Sequence, residues 1–131
     1  MSKRITLVYV RRPSQEDINN ELQWIGSSLG LFGLRDKDSS CFRIFITLIK
    51  RSHHSDPISS DEIAEKLALS RGTVVHHLIK LMGAGLVIKE KEGYLLRENN
   101  LERLVRDMQR DVNAIFAELE EVAKEIDKKL G

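Results

Sequence analysis

Along the first third of the chain the apolar period changes from two to three-and-a-half residues. Residues 4–10 form a β-branched and apolar run, Ile5, Thr6, Leu7, Val8, Tyr9 and Val10, between Lys3-Arg4 and Arg11-Arg12, which predicts a short strand. Pro13 breaks the run. Ser14 with Asp17 resembles a capping box, and Ile18, Leu22, Ile25 and Leu29 follow at steps of four, three and four. Residues 15–29 therefore predict an amphipathic helix, closed by Gly30, Gly33 and the charged loop Arg35–Asp38.

Ser39-Ser40 opens a second expected helix over Cys41–Arg51, with Phe42, Phe45, Leu48 and Ile49 inward. After the loop His53–Pro57, Ser60-Asp61-Glu62 starts a short helix with Ile63, Ala64, Leu67 and Ala68 inward. Leu69-Ser70 is a tight connection, and Ser70 caps a further helix from Arg71 to Met82 that Gly83 and Gly85 stop. Leu86–Lys91 and Tyr94–Arg97 alternate around Glu92-Gly93, a hairpin signal. From Asn100 to Lys129 nothing interrupts helical periodicity.

That last helix has its own rhythm. Leu101, Val105, Met108, Val112, Ile115, Leu119, Val122 and Ile126 alternate steps of four and three, a coiled-coil repeat. With Val105 at position a, the e positions are Gln109, Phe116, Ala123 and Leu130, mostly apolar, so more than one neighbour is expected. The expectation is a homodimer whose bundle combines residues 15–29 and 100–130 of both subunits. Its contacts come from Ile18, Leu22, Ile25 and Leu29 together with the eight seam residues of the last helix. Trp24 and Phe116, beside that bundle, motivate a small-molecule effector of unknown identity.

Composition narrows the classes. The chain has 131 residues with 21 Lys+Arg against 20 Asp+Glu, so bulk charge argues nothing about nucleic acid and only charge placement can. Cys41 is the single cysteine, which excludes a disulfide framework and a Cys-rich zinc site. No apolar run reaches membrane-spanning length, and the run at 5–10 is too short for a signal-peptide core; a soluble cytoplasmic protein is expected. No Gly-rich phosphate loop, HExxH or nucleophile elbow is present, and no enzyme or cofactor is expected.

Placement of charge is informative in residues 58–97. Ile63, Ala64, Leu67, Val74, Leu78 and Leu81 brace two helices, which leaves Arg71, Gly72, Thr73, His76 and Lys80 facing outward. Val75 suits contact with a thymine methyl, and the helix start at Ser70 offers free N–H groups to a phosphate. Of six Lys/Arg in this segment, Arg71, Lys80, Lys89 and Lys91 fall on the second helix and the hairpin. The stretch Asp61–Ile88, DEIAEKLALSRGTVVHHLIKLMGAGLVI, resembles the winged helix-turn-helix of ArsR, MarR and GbsR type prokaryotic regulators. The resemblance covers roughly residues 41–97. It implies a mainly α fold with a small β-hairpin wing, 70–81 as the recognition helix and 86–97 as the wing. The paired-cysteine motif of ArsR metal sensors is missing, and the wing is short, so Lys89 and Lys91 are expected to touch phosphate.

The expected organisation is 1–38, N-terminal strand and helix supporting a dimer; 39–98, DNA-binding domain; and 99–131, dimerisation helix. The expected function is sequence-specific transcriptional regulation on an inverted repeat of double-stranded DNA, the contacts being Ser70, Arg71, Gly72, Thr73, Val75, His76, Lys80, Lys89 and Lys91. The alternative is a winged-helix protein–protein adaptor of the transcription machinery. His76 is expected to face DNA and His77 to pack half-buried, while Cys41 with His53 and His54 is a weaker metal or redox candidate. Lys3, Arg4, Arg11 and Arg12 read first as a charge-blunted strand edge, and second as a phosphate-contacting patch.

Overall fold

A computed structural model of the chain describes residues 3–14 and 17–131. Short polar side chains set the starts of the helices. Asp17 accepts the Asn20 N–H and begins α1 (Ile18–Ser28), and Ser59 accepts the Glu62 N–H at the start of α3 (Ser60–Leu67). Ser70 does the same for α4 (Arg71–Gly83) through the Thr73 N–H, and Asn100 for α5 (Leu101–Leu130) through the Arg103 N–H. α2 (Ser40–Ser52) is capped from further away. Ser39, in the left-handed region at φ 52°, makes no side-chain cap bond. Instead the Asp36 carboxylate accepts the N–H groups of Ser40 at 2.8 Å and Cys41 at 2.9 Å. These two bonds lower the Asp36 pKa although burial pushes it upward.

The apolar faces of α2, α3 and α4 close on one another. Ile44, Phe45 and Leu48 from α2 meet Ile63, Val74, Leu78 and Leu81, all buried. A two-stranded antiparallel hairpin, β1 (Val87–Glu90) and β2 (Gly93–Leu96), pairs Val87 with Leu96 and Glu90 with Gly93, leaving Lys91-Glu92 as its turn. It delivers Leu86, Val87 and Leu96 to the same core. Ile58 extends the sheet by one bridge to Tyr94, its N–H donating to the Tyr94 carbonyl at 3.1 Å and receiving the Tyr94 N–H at 2.8 Å.

α1 docks where Gly26 lets the Phe42 ring approach: a Cβ there would lie 2.6 Å from the ring. Ile25 and Leu29 thereby pack on the core, as does Ile5. The N-terminal segment is not the strand expected over 4–10. It has no sheet partner, and its backbone groups find helix ends instead: Arg4 N–H donates to the Gly83 carbonyl (2.9 Å) and Val8 N–H to that of Ser28 (2.8 Å). Trp24 Nε1–H donates to the Val10 carbonyl at 3.0 Å, so this side chain ties the segment to α1. Two other expectations shift. The helix predicted from residue 15 is capped at Asp17 rather than Ser14, its first two expected positions lying outside the described residues. Ala68 is exposed, because it turns the chain out of α3 in the left-handed conformation at φ 55°.

α5 divides into two parts. Leu104 and Met108 are buried in the core and Leu101 packs against it, so Leu101 and Met108, expected at a dimer seam, are covered within the chain. Arg97, just after the wing, fastens this first part. Its guanidinium donates to Asp111 at 2.6 Å and stands 3.5 Å from Asp107, while Lys3 reaches Asp111 at 3.2 Å. The Arg97 bond, with help from Lys3, holds the Asp111 carboxyl below the usual carboxylate range. Beyond Val112 every residue of the helix is exposed. At 1.5 Å per residue, Asn113–Leu130 projects about 27 Å from the body. Among the described residues no helix is long and apolar enough to cross a membrane.

Candidate nucleic-acid interface

α3, the Ala68–Leu69 turn and α4 form a helix-turn-helix, with the hairpin following as a wing. Because Val74, His77, Leu78 and Leu81 are buried, the opposite side of α4 is fixed toward solvent. Arg71, Gly72, His76 and Lys80 are exposed on it. Arg71 extends from the first turn with its side chain 73% exposed and a loose 3.4 Å contact to Asp61. An exposed pair of that length contributes little and leaves the guanidinium available to an anion.

Two of the expected contact residues are partly committed elsewhere. The Ser70 hydroxyl accepts the Thr73 N–H at 3.1 Å, and the two hydroxyls lie 2.8 Å apart, so they satisfy each other as they cap the helix. Thr73 and Val75 are half-buried. Gly72 has open space where a side chain would stand. In the wing, Lys89 places its ammonium 5.9 Å from the centre of the Tyr94 ring, and Lys91 is exposed at the turn.

His76 and His77 separate as adjacent helical residues must. His76 is exposed, whereas His77 is buried more deeply than expected, with Nε2 3.9 Å from Asp36 and no hydrogen-bond partner for Nδ1. Burial lowers the His77 pKa, and the Asp36 charge only partly opposes this. The neutral ring is thus the packed form.

Ile79, 61% exposed beside His76 and Lys80, is a further outward residue of α4 that the sequence analysis does not single out. The same holds for the α1–α2 loop, where Leu34 is fully exposed and Arg35 and Lys37 wall an open cleft of about 620 Å³ against Gly72, Thr73, His76 and Lys80. Their charge was visible in the sequence, but their place beside α4 depends on a turn pinned by Asp36.

The Cys41, His53 and His54 grouping is not assembled. Cys41 lies at the start of α2 and the histidines beyond its end, about 18 Å apart along the axis. Among the described residues no group of three His, Cys, Asp or Glu side chains is placed to hold a metal ion. Burial pushes the Cys41 thiol up to about 11, which keeps it protonated at neutral pH. Native protein should therefore resist thiol-specific alkylation, and the modification rate should rise only when denaturant exposes Cys41. Stoichiometric labelling of the folded protein within minutes at pH 7.5 would contradict this burial.

The family model described as bacterial regulatory protein, arsR family, matches residues 55–89, which take in α3, α4 and the start of the wing. No curated protein and no solved structure matches the chain. The segment match supports a winged helix-turn-helix of a DNA-binding transcriptional regulator.

Proposed function

With a helix-turn-helix segment of arsR type at residues 55–89 as the starting point, we propose that this protein regulates transcription as a homodimer on an inverted-repeat duplex site. The observation that carries the reading is α4 itself. One face is buried in the core, and the other offers Arg71, Gly72, His76 and Lys80 around a helix start capped by Ser70. Such a helix enters a major groove with its N-terminal turns nearest the base edges. Arg71 and Lys80 supply charge and hydrogen-bond donors there, Ile79 and Val75 apolar contact, and the Ser70 end free N–H groups to a phosphate. Lys89 and Lys91 on the wing act on the backbone, positioning without specifying.

A second copy is proposed from the distal part of α5. Ile115, Leu119, Val122 and Ile126 remain 41 to 58% exposed at steps of four, three and four, next to Phe116 at 64%. A continuous apolar stripe of this kind is rare on a monomer and marks a surface that associates. Val105 and Val112 border a groove of about 360 Å³ with Leu7 and Leu29, which continues the stripe toward the body. Ile18, 68% exposed, and the half-buried Leu22 remain on α1 for the same bundle. Two recognition helices held about 34 Å apart would read half-sites one helical turn apart.

Selection from random duplex DNA tests the proposal, with enrichment of a palindrome expected and no enrichment by folded protein counting against it. Replacing Arg71 and Lys80 together by Ala should lower affinity for a single half-site on the order of 100-fold, at about 1–3 kcal/mol for each lost contact. Both side chains are exposed, so the thermal midpoint should not move. Retained affinity would remove α4 as the reading helix.

A further inference from the structure

The outward ridge of α4, His76 and Lys80, stands between two clefts. The first is the one walled by Arg35 and Lys37 of the α1–α2 loop. The second, about 270 Å³, is walled by Arg4 and Thr6 of the N-terminal segment against His76, Ile79 and Lys80. Arg4, Arg35 and Lys37 are exposed, and among the described residues none of them takes part in an ion pair. Cations thus border the same helix on both sides.

Both walls are fixed by bonds that leave those cations free. In the loop, Asp36 N–H donates to the Gly33 carbonyl and Ser39 N–H to that of Asp36, each at 3.1 Å. The Asp36 carboxylate also lines the first cleft, but its oxygens accept the first two N–H groups of α2, which offset part of its charge there. Asp38 stays exposed and reduces the positive field there. On the other side Arg4 is anchored through its backbone N–H to Gly83, and Thr6 lies against Gly30, where a Cβ would come within 2.6 Å.

We propose that Arg35 and Lys37 on one side of α4, and Arg4 on the other, seat the two phosphate strands that border the major groove. This rests on the DNA-binding reading above. A helix lying in a groove about 12 Å wide has a phosphate strand on each flank, so cations on both flanks fix its depth and tilt. Contacts of this kind position the reading helix and carry no sequence information. The N-terminal segment and the α1–α2 loop are then parts of the DNA surface as well as supports for α1.

The test is the salt dependence of duplex binding by the full-length protein. On the dimer's inverted repeat, where each substitution acts in both protomers, Arg35→Ala with Lys37→Ala should reduce the slope of log affinity against log salt by about 3.6, and Arg4→Ala by about 1.8. Between 50 and 200 mM salt the double variant should accordingly lose about 150-fold less affinity than the unaltered protein does. The weakening should be equal on selected and unrelated duplexes. Lys128→Ala, near the far end of α5, controls for net charge and should leave the slope unchanged. An Arg35/Lys37 slope equal to that control, or a loss confined to the selected site, overturns the inference while leaving α4 as the reader. Failure of the unaltered protein to bind any duplex sinks the DNA reading itself.

Discussion

Gly93→Ala is expected to destabilise the fold by about 2–6 kcal/mol, combining backbone strain with overpacking. Gly93 starts β2 at φ +151°, where a side chain is strained in any case. A Cβ would lie 2.6 Å from both the carbonyl carbon and oxygen of Ile58, and 2.9 Å from its nitrogen. Those atoms cannot retreat cheaply. Ile58 is fully buried and is clamped to Tyr94 by two backbone hydrogen bonds. The methyl must therefore push the wing off the core or break that bridge. A fall in melting temperature of about 10 °C or more is expected, and an unchanged melting curve would show that the wing does not sit against Ile58 this closely. Gly72→Ala is the informative contrast, since nothing lies within 4 Å of its added Cβ and the site is helical. That variant should be neutral or slightly more stable, while its new methyl stands on the surface proposed to face DNA.

The largest expected effect on function comes from Leu119→Asp combined with Ile126→Asp. Both side chains are about half exposed and neither reaches the core, so each chain should keep its fold. Four carboxylates would then face one another across a two-fold interface, with no partner to offset their desolvation. The proposed dimer should dissociate at micromolar concentration, seen by sedimentation as a change from about 30 kDa to the 15.0 kDa monomer. Affinity for an inverted repeat should fall by about 10²–10⁴, the gain that linking two half-site contacts provides. Binding to an isolated half-site should be nearly unaffected. A dimer surviving the double change would place the interface elsewhere. Charge reversal of the exposed Glu120–Lys124 pair, by comparison, should do little, because surface pairs at this spacing contribute only tenths of a kcal/mol.

Legibility in the sequence followed the range of the interactions involved. Ser70 as a cap, the buried stripe Val74–Leu78–Leu81 and the hairpin after Gly85 all depend on neighbours within a few residues, and the structure has them where the pattern predicts. The arsR-type segment lies in the same stretch. Residues 4–10 have the composition of a strand, but a strand needs a second one beside it, and this segment meets the ends of α1 and α4 instead. The α5 repeat is continuous from Leu101 to Ile126, yet Leu101 and Met108 turn into the chain's own core while Leu119 and Ile126 do not. Periodicity identifies which residues share a face and says nothing of where that face stops being covered.

The sequence by itself determined the helices, the Ser70 cap, the hairpin and the polar face of α4, because short-range hydrogen bonding and apolar period are local properties. Only the tertiary structure decided that Arg4 and the Arg35–Lys37 loop flank that face, that Arg97 fastens the wing to α5, and that α5 is covered only at its base. Those outcomes depend on contacts between residues far apart in the chain. Asp36 shows the difference most directly: in sequence it is one charge in a polar loop, and in the fold it caps α2 and sets the course of the loop beside α4.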